Sequence, residues 1–94
     1  MRFEWDEKKN VINRNKHRVS FQTATLVFDD PHQLLIFDRV VDGEERWQTI
    51  GLVDGVLLLI VVHTMEEEDG KELFRFISAR KAEPHERRLY DDAL

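Results

Sequence analysis

The chain reads as an α+β domain with two N-terminal helices, a four-stranded antiparallel sheet and a C-terminal helix. Three observations predict this. Phe21, Ala24, Val27 and Phe28 recur at helical spacing near the start. Runs rich in β-branched, leucine and aromatic residues then fill the middle, punctuated by Asp42-Gly43 and Asp54-Gly55. Pro84 opens a last segment whose apolar positions are Leu89, Tyr90, Ala93 and Leu94. Helices and strands are segregated along the chain, which is the α+β pattern.

Each element has a local cause. Asp6 is placed to cap a first helix running to about Lys16, whose apolar stripe is thin: Val11 and Ile12, with Trp5 just before it. Ser20 caps a short second helix. Val19 and Ala24 stand where a hydrophobic staple would, and Asp29-Asp30-Pro31 ends the segment. Gln33–Val40 and Glu44–Val53 are the first two strands, joined at Asp42-Gly43. Asp54-Gly55 is a two-residue hairpin turn, since Gly and Asp tolerate positive φ. Val56–Thr64 is nearly all apolar at first, which predicts a central strand buried on both faces. Residues 65–70 form an acidic loop. Lys71–Ala79 is the fourth strand, with Phe74 and Phe76 on one face and Leu73, Arg75 and Ile77 on the other. No repeat or linker interrupts residues 1–94, so the expectation is one domain.

Composition bounds the chemistry. Of 94 residues, 41% are hydrophobic and 35% charged, a globular chain with a heavily charged surface. Zero Cys excludes a disulfide framework, thiolate metal sites and a cysteine nucleophile. With no apolar signal at Met1–Asp6 and no apolar run near the ~20 residues of a membrane span, the expected setting is the cytoplasm, away from membranes. The net charge of −5 argues, taken alone, against a nucleic-acid partner. Its distribution argues otherwise. Residues 1–30 and 71–94 are each net +1, and residues 31–70 carry −7. Positions 8–18 hold five basic groups and His17 with no acid, whereas Glu66–Asp69 is a run of four acids.

Several chemistries are absent. His17, His32, His63 and His85 lack metal-ligand spacing, and the acidic run lacks the spacing of a calcium loop. No expectation of a metal or other cofactor arises. Gly43, Gly51, Gly55 and Gly70 form no phosphate loop, and no nucleophile elbow surrounds Ser20 or Ser78. What remains is a set of basic groups: Arg46, His63, Arg75, Arg80, Lys81, Arg87 and Arg88, with Tyr90 nearby in sequence. An antiparallel sheet can gather such residues on one face, where guanidinium groups bind phosphate. Cutting RNA without a metal needs a proton acceptor for the 2′-hydroxyl, a cation for the phosphorane and an acid for the leaving 5′-oxygen. The same residues also have structural readings: Trp5 packed under the sheet, Asp6 as a cap, Tyr90 in the helix interface, and Glu86 with Arg87 as an ion pair between helix and sheet.

Several phrases, taken together, resemble the BrnT family of bacterial toxins. They are Phe3-x-Trp5-Asp6 with Lys9 and Asn13, Lys16-His17-x-Val19-Ser20-Phe21 with Ala24, and Val27-Phe28-x-Asp30. Glu45-Arg46, Gly51, Val62-His63-Thr64, Arg75 to Ala82, Glu86-Arg87 and Tyr90 complete them, so the resemblance spans nearly the whole chain. It implies a RelE-like fold and a ribonuclease toxin that blocks translation without a metal. It implies a partner antitoxin of the BrnA type with a ribbon-helix-helix portion. Operator DNA would be bound only through the toxin–antitoxin complex. Carried onto matching positions, it makes His17, His63, Arg75, Arg80 and Tyr90 catalytic candidates and Lys16 and Arg46 RNA-binding candidates. Lys81 and Arg87 join the RNA-binding set from the basic groups at the strand end and closing helix. Arg75 and Arg80 are expected to meet phosphate, and His63 or His17 to move a proton. A non-catalytic module or co-repressor working through the antitoxin complex stands as the alternative. The acidic 66–69 run would weaken RNA binding or meet a basic partner.

Overall fold

The computed structural model describes residues 1–94 and has an α+β architecture. A three-residue strand, β1 (Arg2–Glu4), precedes helices α1 (Glu7–His17) and α2 (Phe21–Ala24) and a 3-10 turn (Thr25–Asp29). Strands β2 (Leu34–Val41), β3 (Glu44–Val53), β4 (Leu57–His63), β5 (Glu66–Glu68) and β6 (Lys71–Lys81) follow, and α3 (Pro84–Asp92) closes the chain. The predicted caps are present. Asp6 accepts from the Lys8 N–H at 2.9 Å, and Ser20 Oγ accepts from the Thr23 N–H at 3.0 Å. Arg18 ends α1 at φ 63°, a left-handed position where a side chain is strained relative to glycine.

The sheet departs from the four-stranded antiparallel expectation. It has six strands, in the order β1-β6-β4-β3-β2, with β5 also on β6 and β1 parallel to it. The first segment is too short to show alternation, so Arg2–Glu4 gives no strand signal; it is held by Phe3 opposite Phe74. The acidic run is a strand because Asp69-Gly70 makes a turn with both φ values positive, folding Glu66–Glu68 back on β6. The second helix is one α-turn continued as 3-10. The β3–β4 connection is a three-residue loop, Val53 opposite Leu57, with Val56 exposed rather than in the strand.

β4 lies centrally between β3 and β6 and is buried on both faces, as its apolar run predicts. On the helix side, Phe21, Val27, Leu59, Val61, Phe74 and Phe76 are nearly or wholly inaccessible. Trp5 stacks on Phe76 at 5.7 Å between centroids, and Phe21 meets Phe76 edge-on at 5.9 Å. Gly51 lets the 3-10 turn come down on β3: a Cβ there would stand 2.6 Å from Val27 Cγ1. On the opposite face, Ile50, Leu58, Ile60 and Tyr90 form a second, smaller core. α3 supplies a single buried apolar residue to that face, Tyr90; Leu89 and Leu94, expected inside, are exposed.

Two buried asparagines on α1 join helices to sheet. Asn13 accepts from the Ala79 N–H at 3.1 Å and donates to the Ala79 and Val19 carbonyls at 2.8 and 2.9 Å. It thus satisfies the outer edge of β6 where β1 has ended. Asn10 accepts from the Phe21 N–H at 2.8 Å and donates to Gln22. β6 is also bulged: Ser78 faces Val62, but Phe76 faces His63, so one residue is extra.

Candidate functional site

The bulge decides where the basic residues go. Arg75 and Arg80 are five positions apart, so strict alternation would put them on opposite faces. With Ile77 inserted, Arg80 stands opposite Ile60 and shares the face of the smaller core. Arg75 reaches Glu44 on the same face, its Nη2 donating to Oε1 at 2.6 Å. Arg46, two residues along β3 from Glu44, holds its Nε 3.9 Å from the same oxygen. Three predicted arginines therefore share one sheet face, and Arg46 and Arg75 converge on a single carboxylate oxygen. The Arg46 Nε is buried and has no hydrogen-bond partner, a cationic donor left open inside the cluster. Glu66, from the acidic run, stands 4.0 Å from Arg75 Nη1.

Arg80 is spoken for. Its guanidinium forks onto the buried Glu86 carboxylate at 2.7 and 2.8 Å, and Glu86 also accepts the Glu83 N–H at 2.8 Å in a capping box at the start of α3. The hydrogen bonds from Arg80 hold the Glu86 carboxyl below its ordinary value against the opposing effect of burial. The partner of Glu86 is thus Arg80 rather than the neighbouring Arg87. Arg87 and Lys81 project into solvent.

His63 is not brought to the arginines, and Tyr90 shares their face but turns its hydroxyl to Asp30. His63 lies on the helix side, wholly buried beside Phe28 and Phe74. The Thr64 carbonyl, 3.1 Å from Nδ1, can only accept, so the ring proton sits on Nδ1. The Thr49 hydroxyl then donates to Nε2 at 2.7 Å. Burial pushes the imidazole below its ordinary value of 6.5 and keeps it neutral. Tyr90 is buried against Ile50 and Ile60 with its hydroxyl donating to Asp30 Oδ2. Burial first, then the Asp30 carboxylate, pushes that phenol up to about 12. Asp30 also accepts the Leu52 and His32 N–H groups at 2.8 Å each. Burial works to raise its carboxyl, but those bonds and Tyr90 outweigh it and hold Asp30 below the ordinary value.

Lys16 and His17 line a groove of about 190 Å³ between α1 and β6, with Lys9, Ile77 and Ser78. No carboxylate lines it. Ser78 stands opposite Val62, on the arginine face, so the groove opens beside that face. A larger cavity of about 300 Å³ is lined by Asp29, Asp30 and Asp54; three carboxylates make it unsuited to a phosphate. Glu44 is the member of this cluster that sequence reasoning missed. Its only signal was its place beside the Asp42-Gly43 turn, two residues before Arg46.

The molecule is a small α+β domain in which α1, α2 and the 3-10 turn cover part of one sheet face and the other face carries a carboxylate between two arginines. The sequence profile of the BrnT toxin, the ribonuclease toxin of type II toxin-antitoxin systems, matches residues 5–86. The chain belongs to this family of ribonuclease toxins, and a type II toxin has an antitoxin as its partner. The fold is similar to that of the Brucella abortus ribonuclease toxin BrnT, known from a 1.1 Å crystal structure. That match has a TM-score of 0.60 and 24% identity over 88% of this chain and 97% of the other. A comparison with curated proteins returns no match. No helix is long and apolar enough to cross a membrane.

Proposed function

We propose that this chain is a metal-independent endoribonuclease that inhibits translation, with its reaction centre at Arg46, Arg75 and Glu44. The observation that carries the reading is the convergence of both guanidinium groups on Glu44 Oε1, with the Arg46 Nε buried and without a hydrogen bond. A phosphodiester would replace part of that carboxylate's contact with the arginines, which bind its oxygens in the fork geometry. Glu44, displaced but adjacent, takes the proton of the 2′-hydroxyl as its oxygen attacks phosphorus. The 5′-oxygen leaves with a proton from solvent, and the product carries a 2′,3′-cyclic phosphate. Arg46 and Arg75 stabilise the extra negative charge of the phosphorane.

In this reading Lys16 and His17 extend the cationic surface along the α1 groove, and Lys81 and Arg87 add exposed charge beyond Arg80. Arg80, His63 and Tyr90 act by holding the fold. A BrnA-like ribbon-helix-helix antitoxin neutralises the toxin, and operator DNA is met only through their complex, in the cytoplasm. The test is cleavage of total RNA by the purified chain in EDTA, followed by detection of cyclic-phosphate ends. Wild type should cut, and Arg75→Ala and Glu44→Gln should each lose most of the rate. Equal, undetectable cleavage by all three, with a stable antitoxin complex, would instead establish the non-catalytic module.

A further inference from the structure

β2 is the outer strand of the sheet and pairs on one side only, with β3. Its inner residues Leu34 and Ile36 pack on the smaller core beside Tyr90. Its other face is apolar and bare: Leu35 is 48%, Phe37 49% and Val40 56% exposed. α1 and α2 lie over β6 and the 3-10 turn over β3, so no helix crosses this part of the sheet. Trp47, opposite Phe37 and 5.3 Å from it edge-on, continues the patch onto β3. An open strand edge flanked by exposed Leu, Phe and Val and a half-buried Trp is a feature that monomeric proteins normally suppress.

Two further features define what fits there. The ladder is bulged between Phe37 and Arg39, so an added strand can run in register along Leu34–Phe37 and not along the whole edge. That favours a short extended peptide over a second copy of β2, whose own bulge would meet it out of step. The rim is acidic. Glu45 stands opposite Val40 on the patch side, Asp42 is exposed at the turn, and neither has an ion-pair partner in the fold.

We propose that the β2 edge is the docking site for an extended segment of the antitoxin. The segment adds as a strand beside Leu34–Phe37, with apolar side chains at every second position facing the patch and Lys or Arg where it leaves the strand at the Val40–Asp42 end. Apolar residues of the segment cover Leu35, Phe37 and Trp47, and its cations meet Glu45 and Asp42. The inference rests on family membership, which supplies the partner, and not on the catalytic reading. The arginine cluster lies on the opposite face of the sheet, so this contact leaves the arginines open, and any block of the RNA site comes from another part of the antitoxin.

The test co-expresses the chain with the antitoxin of the adjoining reading frame and measures their affinity. Leu35→Lys and Phe37→Glu should each weaken the complex at least tenfold, and Glu45→Lys severalfold, with a matching loss of salt sensitivity for the last. The free variants should keep the wild-type melting temperature within a few degrees and the wild-type rate of RNA cleavage. Hydrogen exchange on the unmutated complex needs no variant to fold: amides of residues 34–37 should slow on binding. Affinity within twofold of wild type for Phe37→Glu, or slowed exchange confined to other elements, would overturn the proposal. So would a wild-type dimer that Phe37→Glu converts to monomer with antitoxin affinity intact, which would assign the patch to a second copy. Loss of cleavage by Arg75→Ala is read separately, so failure of the docking site and failure of the ribonuclease reading are distinguishable.

Discussion

On the helix side of the sheet, His63 is wholly buried, neutral and hydrogen-bonded at both ring nitrogens. On the other side, Arg46, Arg75 and Arg80 keep their charges against Glu44, Glu66 and Glu86. The same strands build both arrangements, since neighbouring residues on β4 and β6 point opposite ways. The difference teaches where a reaction can occur. Burial without charge makes His63 a packing residue whatever its chemical reputation, because a proton there would have no counter-ion and no solvent. Partial exposure with paired charges makes the arginine face a place where one anion can be exchanged for another.

Substitutions can break this contrast, and their expected effects can be ranked. Phe76→Ala removes the ring on which Trp5 and Phe21 both pack, and should cost about 3–5 kcal/mol in a denaturant titration. Arg75→Ala should leave that stability nearly intact and lower the RNA cleavage rate by about 10²–10³, the usual cost of deleting a group that meets developing charge. Arg80→Ala should do the reverse. It strands the buried Glu86 carboxylate and should cost about 1.5–3 kcal/mol of stability, with a smaller loss of cleavage than Arg75→Ala.

The pH dependence sharpens the comparison further. His63 binds a proton less readily in the fold than at its ordinary value of 6.5, so the unfolded chain protonates first. Stability from this group is complete above pH 6.5 and falls as pH drops below it. Melting temperatures in His63→Gln should lose that acid slope. Asp30 and Glu86 are both held below their ordinary values, so their contribution is present above about pH 4.5 and is lost as pH falls further. The smallest effect belongs to the open face. Glu66→Gln removes a half-exposed carboxylate 4.0 Å from Arg75, and should tighten RNA binding by about two- to fivefold, less so at high salt.

How much of this was legible in the sequence varied with the range of the interaction. Asp6 and Ser20 were legible as caps because a cap acts within three residues. Glycine after aspartate marked the hairpins at Asp42-Gly43 and Asp54-Gly55 for the same local reason, whereas the same pair at Asp69-Gly70 was hidden in a run of acids that reads as a loop. β1 was not legible, because its pairing with Leu73–Arg75 is set some seventy residues away. The bulge at Ile77 left no mark in the alternation of Phe74 and Phe76, yet it turns Arg80 toward the arginine face. The arginines were legible as a group by composition and resemblance. Glu44 was not, since a single acid near a turn has a solvated reading everywhere else in such a charged chain. The histidines show the converse: His63 had a titratable side chain and a matching phrase, but its accessibility is a property of Phe28 and Phe74 packing around it.

One consequence follows from how α3 is fastened. The helix inserts only Tyr90 and Glu86 into the body of the protein, and the two are tied to Asp30 and Arg80. Releasing it costs two polar ties and one aromatic ring, far less than disrupting the core under α1 and α2. α3 should therefore detach as a unit, with amide exchange faster than that of β4 and faster still in acid, where both anchoring carboxylates are neutralised. Each such excursion bares Ile50, Leu58 and Ile60 while the sheet stays intact. The C-terminal tenth of the chain thus behaves as a hinged shutter over an apolar strip, opening many times for each global unfolding.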